Sequence, residues 1–328
     1  MIELSVETQC FALKQVFKIS RSSKTSADVI VVTLKSGGYI GLGEAVPYAR
    51  YGESLDSVMS QINTIKAYLN NEGMLSNAIK KMPAGAAKNA LDCAYWDLRA
   101  QMVDKPVYEL LGLPKPQSCV SAQTLSIDSP ENMAQAAADM GHPPLIKVKL
   151  DRENIVEKMR AIHEASPLSK FIVDANEAWT IEDLCEVAPT LAELNVSLIE
   201  QPLPADQDVE LAAYNGPVAI CADESCHTRE GLQKLKRYYD AINIKLDKTG
   251  GITEAVALMK EAQLLGFTIM VGCMVGSSLA MAPAFLLSSE AAFVDLDGPW
   301  LLAADRADGF DFKDGVMTPA KPLLWGEV

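Results

Sequence analysis

Five charged residues close five short apolar runs at nearly constant spacing, and this constrains the fold more than any other feature. Lys149 closes Leu145-Ile-Lys-Val-Lys, Asp174 closes Phe171-Ile-Val-Asp, and Glu200 closes Ser197-Leu-Ile-Glu. Asp223 closes Val218-Ala-Ile-Cys-Ala-Asp, and Lys245 closes Ala241-Ile-Asn-Ile-Lys. The gaps are 25, 26, 23 and 22 residues. A buried parallel strand reads as such a run, and a strand with its helix and two loops fills such a gap. The charges therefore end successive parallel strands. In a closed (β/α)8 barrel those ends converge on one mouth, where catalysis takes place.

The 328 residues exceed one barrel of roughly 200–250 residues, leaving room for a smaller domain. A net charge of −14 argues against a nucleic-acid partner, because phosphate binding needs clustered Lys and Arg. The seven cysteines include no C-x-x-C pair. Cys93, Cys119, Cys221 and Cys273 lie in apolar runs, so buried thiols are expected rather than a disulfide framework. The first residues carry acids and no apolar h-region, so no secretory signal is expected. No stretch reads as a membrane span. A cytoplasmic protein is the expectation.

Residues 1–45 read as strands. Val29-Ile-Val-Val-Thr-Leu34 is β-branched, Ser36-Gly37-Gly38 is a turn, and Tyr39-Ile-Gly-Leu-Gly43 returns, which predicts a meander. Val58, Ile62, Ile65 and Leu69 recur at helical spacing after Ser54. A second helical segment spans 84–102, and Gly112 with Pro114 ends the region. From about residue 118, eight strand runs end near Thr124, Lys149, Asp174, Glu200, Asp223, Lys245, Gly272 and Asp297. Asp128-Ser129-Pro130-Glu131 and Thr180-Ile-Glu-Asp183 read as helix starts. Phe310, Phe312, Val316 and Leu323 read as short extended pieces. The fold expected is α/β: a (β/α)8-type barrel with an N-terminal α+β capping domain completed by the C-terminal tail. The expected boundaries are 1–113 for the cap, 114–303 for the barrel and 304–328 for the returning tail.

Asp174, Glu200 and Asp223 end adjacent strands, so their oxygens can share a small volume. Their mutual repulsion would be relieved by Mg²⁺, which favours an oxygen shell. Each acid alone reads equally well as a solvated strand end or a helix cap. It is the succession of three that favours a metal site. His142, His163 and His227 are scattered and lack zinc spacing. Lys147 and Lys149 are two apart on a strand and share one face, which is the interior. Two buried ammonium groups need anions nearby. Desolvation and a neighbouring cation would lower a lysine toward a general-base range. Lys245 lies across the mouth from Lys149, so the two can approach a bound carbon from opposite faces. Lys248 is the rival to Lys245, although it falls in the loop beyond the strand. Opposed bases beside a metal suit proton removal next to a carboxylate, with return of a proton on the other face.

The combination K-V-K, V-D-A-N, I-E-Q-P, A-D-E-S and N-I-K-L-D-K-T-G-G resembles the enolase superfamily, muconate-lactonizing subgroup, over essentially the whole chain. A finer similarity is to the dipeptide epimerases, in particular the bacterial L-Ala-D/L-Glu epimerases. It is carried by Val294-Asp295-Leu-Asp297-Gly-Pro, by Arg21 in Ile19-Ser-Arg-Ser-Ser-Lys24, by the segments 48–54 and 83–93, and by Thr124. The resemblance implies Lys149 and Lys245 as catalytic bases and Asp174, Glu200 and Asp223 as ligands of one Mg²⁺. It implies that Asp295 and Asp297 hold the dipeptide's α-ammonium, Arg21 its side-chain carboxylate, and Thr124 and Lys147 its backbone carboxylate. The implied partner is a small dipeptide, in cell-wall peptide recycling, with homo-oligomerisation left open. The plain alternatives are a turn at Asp297-Gly-Pro299 and a solvated Arg21. Rival activities are N-acylamino-acid racemase, o-succinylbenzoate synthase and muconate cycloisomerase. A metal-binding scaffold without catalysis is a further alternative.

Overall fold

The computed structural model describes residues 2–321 and 324–327, and Leu323 of the expected tail lies outside the described residues. The β-branched run that suggested a meander forms one. Strands β1 (Glu3–Ile19), β2 (Ser22–Ser36) and β3 (Tyr39–Ala45) pair antiparallel in that order. The β1–β2 register shifts between Ala12 and Phe17, so Leu13 to Val16 bulge away from β2. Leu13 instead bridges Leu302.

Ser54 caps α1 (Leu55–Asn63) through a capping box with Ser57. The apolar spacing past Asn63 continues as a 3₁₀ segment over Thr64–Tyr68, not as one long helix. Next come α2 (Glu72–Lys81), α3 (Ala86–Val103) and α4 (Val107–Leu110). Ile30, Val32, Ile62, Leu75 and Leu91 fill the core between this sheet and its helices. Each such side chain removed from water contributes roughly 1.5–3 kcal/mol. Helix α3 lies so close to β3 that a Cβ on Gly43 would stand 2.1 Å from the Ala90 carbonyl oxygen.

After β4 (Cys119–Val120) the strand–helix alternation begins: β5 (Gln123–Leu125), α5 (Pro130–Asp139), β6 (Leu145–Lys149), α6 (Ile155–Ala165), β7 (Lys170–Asp174), α7 (Ile181–Glu193) and β8 (Val196–Glu200). It continues with β9 (Ala219–Ala222), α8 (Leu232–Leu235), β10 (Ala241–Ile244), α9 (Leu246–Thr249), α10 (Ile252–Leu264), β11 (Thr268–Gly272), α11 (Ser278–Phe285), β12 (Phe293–Asp295) and α12 (Gly298–Leu301). Strands β5 to β12 form one parallel sheet in sequence order. The Ala122 N–H donates to the Val294 oxygen at 2.8 Å and brings the two edges together. All five residues of β6 are buried, as a strand covered on both faces requires. Ser129 caps α5, and Thr180 with Asp183 forms the capping box of α7.

The alternation weakens after β8 and β9. A 3₁₀ segment, Ala205–Ala213, stands in place of the first helix, and α8 has four residues. Pro204, with ψ of 139°, keeps the backbone extended just before the 3₁₀ segment. In the tail, β13 (Asp311–Lys313) pairs antiparallel with β14 (Val316–Thr318), and β14 pairs with β4. The chain then reaches the cap. Trp325 Nε1 donates to the Cys93 oxygen at 3.2 Å, and the Val107 N–H donates to the Gly326 oxygen at 2.8 Å. The architecture is the expected (β/α)8-type barrel with an antiparallel N-terminal cap.

Candidate active site

The barrel strands deliver their terminal charges to one place. Lys149 pairs in register with Asp174, and Asp174 with Glu200. The Lys149 ammonium lies 2.5 Å from Asp174 Oδ2. Lys147, two residues earlier on the same face, reaches Glu200 Oε2 at 2.6 Å, Asp295 Oδ2 at 2.7 Å and Asp174 Oδ2 at 3.1 Å. Lys245 Nζ lies 2.6 Å from Asp223 Oδ2 and 3.9 Å from Glu200 Oε1. Thr124, Lys147, Lys149, Asp223, Lys245, Asp295 and Asp297 line a common cavity under the cap. Asp174 and Glu200 lie beneath its floor, fully buried.

Charges this deep set one another's protonation. Burial pushes Asp174 up, but Lys149 and Lys147 outweigh it and hold the carboxyl well below its usual range. Burial likewise loses to Lys245 and Lys248 at Asp223. Glu200 is pushed up to about 7 by burial and by Asp174. Burial acts to lower Lys147 and Lys245, yet the surrounding carboxylates lift both well above the ordinary lysine value. Asp297 is pushed up to about 7 by burial and by Asp295, and its Oδ2 accepts the Thr124 N–H at 2.7 Å.

Two supporting residues, Gln201 and Asn243, escaped the sequence reading. Gln201 accepts the Asp223 and Ser225 N–H groups and donates to the Tyr239 hydroxyl, which fixes the turn after β9. Its φ of 35° is in the left-handed region, which no sequence pattern announces. Asn243 donates to Glu200 Oε1 at 2.7 Å. Lys248, the rival to Lys245, is buried and bonds Asp223 Oδ1, the Asp223 carbonyl and the Asn243 carbonyl. It does not line the cavity, and Lys245 does.

The cap supplies the other wall. Phe17, Ile19, Ser22 and Lys24 reach the cavity from the β1–β2 connection, and Tyr48 and Tyr51 from the loop after β3. Arg21 stands behind this wall, bonded to Tyr48, Asn176 and Glu224, which line the cavity. Its guanidinium donates to the Asn176 oxygen at 2.6 Å, Glu177 Oε2 at 2.8 Å, Glu224 Oε1 at 2.6 Å and the Tyr48 hydroxyl at 3.2 Å. The cap cation that faces the cavity is Lys24. Its ammonium sits 5.6 Å from the Tyr48 ring centre, and burial lowers its pKa. His227 packs edge-on to Tyr51, with ring centres 4.5 Å apart.

The donor set fits a hard divalent cation: three buried carboxylates on adjacent strands, with no His or Cys among them. Glu200 Oε2 has no aligned hydrogen-bond donor, although the Lys147 ammonium is only 2.6 Å away. Lysine ammonium groups stand between the acids. Among the described residues, no three His, Cys, Asp or Glu side chains converge closely enough to hold a metal as the side chains lie. The Lys147 ammonium lies between Asp174 and Glu200 and offsets their charge. No helix among the described residues is long and apolar enough to cross a membrane.

Residues 1–112 match the N-terminal domain of the mandelate racemase / muconate lactonizing enzyme family, and residues 130–322 match the enolase C-terminal domain-like family. An N-acetyl-D-glutamate racemase of Pseudoalteromonas is 51% identical over 91% of this chain and 95% of its own. An L-Ala-D/L-Glu epimerase of Escherichia coli is 45% identical over 97% of this chain and 99% of its own. A crystal structure of an Agrobacterium tumefaciens enolase-family member with homology to dipeptide epimerases, holding sodium and L-Ala-L-Glu, superposes with a TM-score of 0.94. It is 46% identical and covers 99% of this chain and 100% of its own. A dipeptide epimerase from Enterococcus faecalis, in complex with Mg and L-Leu-L-Tyr, superposes with a TM-score of 0.88 at 28% identity, over 96% of each chain. Both halves of the fold and the full-length relatives agree, and the chain belongs to the mandelate racemase / muconate lactonizing group of the enolase superfamily, as an isomerase of the racemase and epimerase kind.

Proposed function

We propose that this isomerase epimerises L-Ala-D/L-Glu dipeptides at the glutamate α-carbon, in the cytoplasm and in cell-wall peptide recycling. One observation carries the reading: Lys149 and Lys245 enter one cavity from strands on opposite sides of the barrel. An α-carbon held between them can lose a proton to one amine and regain one from the other on the opposite face. The lifted pKa of Lys245 keeps it charged and ready to donate. The second amine must be neutral when it accepts. Asp174, Glu200 and Asp223 would hold one Mg²⁺, as the magnesium in the Enterococcus relative supports. When bound, that ion supplies positive charge beside the substrate carboxylate and offsets the acids' field on the lysines. Lys147 and Thr124 orient the backbone carboxylate, and the cap excludes water.

Asp295 and Asp297 bind the α-ammonium. For the glutamate side chain we assign Lys24 in place of Arg21, because Arg21 is bonded to Glu177 and Glu224 and Lys24 lines the cavity. All seven cysteines are free thiols, which suits a reducing compartment.

A second reading is racemisation of N-acylglutamate. It is favoured by the 51% identical Pseudoalteromonas relative and by Asp295 being already paired with Lys147. Incubation in deuterium oxide separates the two. The dipeptide reading requires α-deuteration of L-Ala-L-Glu, and of N-acetyl-L-glutamate at a much lower rate. The reverse order of rates overturns it.

A further inference from the structure

We propose that Glu177 is a positioning residue that ties two cap loops to the barrel turn orienting Asp174. The inference rests on this cavity being the site of isomerisation, and does not depend on which substrate fills it. Glu177 lies just past β7, and its side chain is 7% exposed. Arg50, from the loop after β3, clamps it with two bonds, Nε to Oε2 and Nη2 to Oε1, each 2.8 Å. Arg21, from the β1–β2 connection, adds Nη1 to Oε2 at 2.8 Å. The Ala205 N–H, from the loop after β8, donates to Oε1 at 3.0 Å. One carboxylate thus joins two cap loops and two barrel loops, and the residues bordering those cap loops, Ser22, Lys24, Tyr48 and Tyr51, wall the cavity.

The same turn reaches the cavity floor. Asn176 and Glu177 have φ of 47° and 68°, two successive left-handed residues without glycine. Such backbone persists only where its surroundings hold it. Here the Asn176 carbonyl accepts from Arg21 and from the Ser20 hydroxyl, and the Asn176 N–H donates to Asp174 Oδ1 at 2.9 Å. Freeing Arg21 and Arg50 would loosen the cap loops and, through Asn176, the Asp174 carboxylate. An ion pair on an exposed surface would do neither. Here the Glu177 carboxylate is shielded, is held bidentately by the half-exposed Arg50 and is shared with Arg21, the geometry in which Arg–carboxylate bonding is strong.

The test uses the full chain with Glu177→Ala, Glu177→Gln, Arg50→Ala and the double variant Arg50→Ala/Glu177→Ala. Closure of loops over a site affects kcat and KM together, so Glu177→Ala should lower kcat/KM by about tenfold or more with both parameters changed. Glu177→Gln, which keeps an oxygen for Ala205 N–H, should fall between it and the parent. Two residues acting through one contact do not add, so the double variant should match Glu177→Ala within about twofold. Trypsin cleavage after Arg21, Lys24 or Arg50, read by mass spectrometry, should accelerate several-fold in Glu177→Ala. That readout needs no substrate, so an error in the dipeptide reading leaves it intact. Should Glu177→Ala fail to fold, Arg50→Ala, whose side chain is 43% exposed, carries the comparison. Unchanged cleavage with kcat/KM within twofold of the parent overturns the proposal, as does a double variant whose loss is the product of the single losses.

Discussion

The two walls of the cavity are held in different ways. On the barrel side, the charged groups stand at or near the ends of buried strands, and several pair across neighbouring strands, as Lys149 does with Asp174 and Lys245 with Asp223. The backbone there cannot shift without breaking a parallel ladder. On the cap side, Lys24, Tyr48 and Tyr51 stand at a strand end or in a loop, and long side chains such as Arg21 and Arg50 hold those segments from across the domain boundary. Chemistry that needs fixed distances sits on the sheet. Recognition that must admit and release a substrate sits on the loops.

If the barrel wall carries the chemistry, its lysines are where substitution costs most. Lys149→Met and Lys245→Met should each lower kcat by about a thousandfold or more, in line with the loss of a general acid or base. Each variant should still exchange the α-proton of the one stereoisomer that faces its remaining lysine. Measuring deuterium uptake separately from the L,L and L,D dipeptides checks this. Activity within tenfold of the parent in either variant removes that lysine from the reaction, and a loss only in Lys248→Met transfers the role.

The cap has its own rigid element, and a stability change sharpens the contrast with its loops. Gly43 on β3 faces α3 with no space for a Cβ, since backbone atoms of Ala90 and Ala94 stand within 2.7 Å of where it would lie. Gly43→Ala should therefore destabilise the fold by about 2–3 kcal/mol, read as a lower urea midpoint. An unchanged midpoint would mean that α3 moves away easily, and that the cap as a whole, not only its loops, is compliant.

The sequence was far more informative about one wall than the other. Period-two placement puts Lys147 and Lys149 on the interior, and strand-length spacing puts Asp174, Glu200 and Asp223 side by side. Both follow from local geometry and need no knowledge of distant contacts. Arg21 is different. Its charge suits a substrate anion, but its partners Glu177 and Glu224 lie 156 and 203 residues away, and nothing local reveals that they meet it. Lys24 was visible only as a neighbour in the same segment. Gln201 and Asn243 carry no charge and break no pattern, so their bonds to the Asp223 turn and to Glu200 appear only in the folded chain.

The recognition wall predicts a selective effect. An ammonium–carboxylate bond in a shielded cavity contributes roughly 1.5–3 kcal/mol, about ten- to a hundredfold in specificity. Lys24→Met should cost that much in kcat/KM for Ala-Glu and little for Ala-Leu. Arg21→Ala should depress both dipeptides alike, because Arg21 holds structure. The opposite pattern would require the Arg21 guanidinium to leave Glu177 and Glu224 when substrate enters.

The smallest effect expected lies where the two domains meet. Asp247, on α9 two residues past Lys245, faces the cap. Its Oδ1 accepts the Val46 N–H at 3.1 Å and Asn89 Nδ2 at 2.8 Å. Burial pushes its carboxyl up to about 7 against those two bonds, and burial raises Asp92 and Asp97 on α3 to about 6. In the unfolded chain an aspartate titrates near 3.9. The folded state thus holds protons that the unfolded state has released. The stability these groups contribute is complete below about pH 4 and is lost as pH rises through 6 to 7. Asp174 and Asp223 are held low and act in the opposite sense, but only in more acid solution. Between pH 5 and pH 8 the parent melting temperature should therefore fall. Asp247→Asn keeps an oxygen for both donors and removes one of the ionisations. Its melting temperature should fall by a few degrees less across the same interval. Parallel curves for parent and variant would mean that Asp247 is ionised throughout this range, and that the contact between barrel and cap tolerates a buried charge beside Lys245.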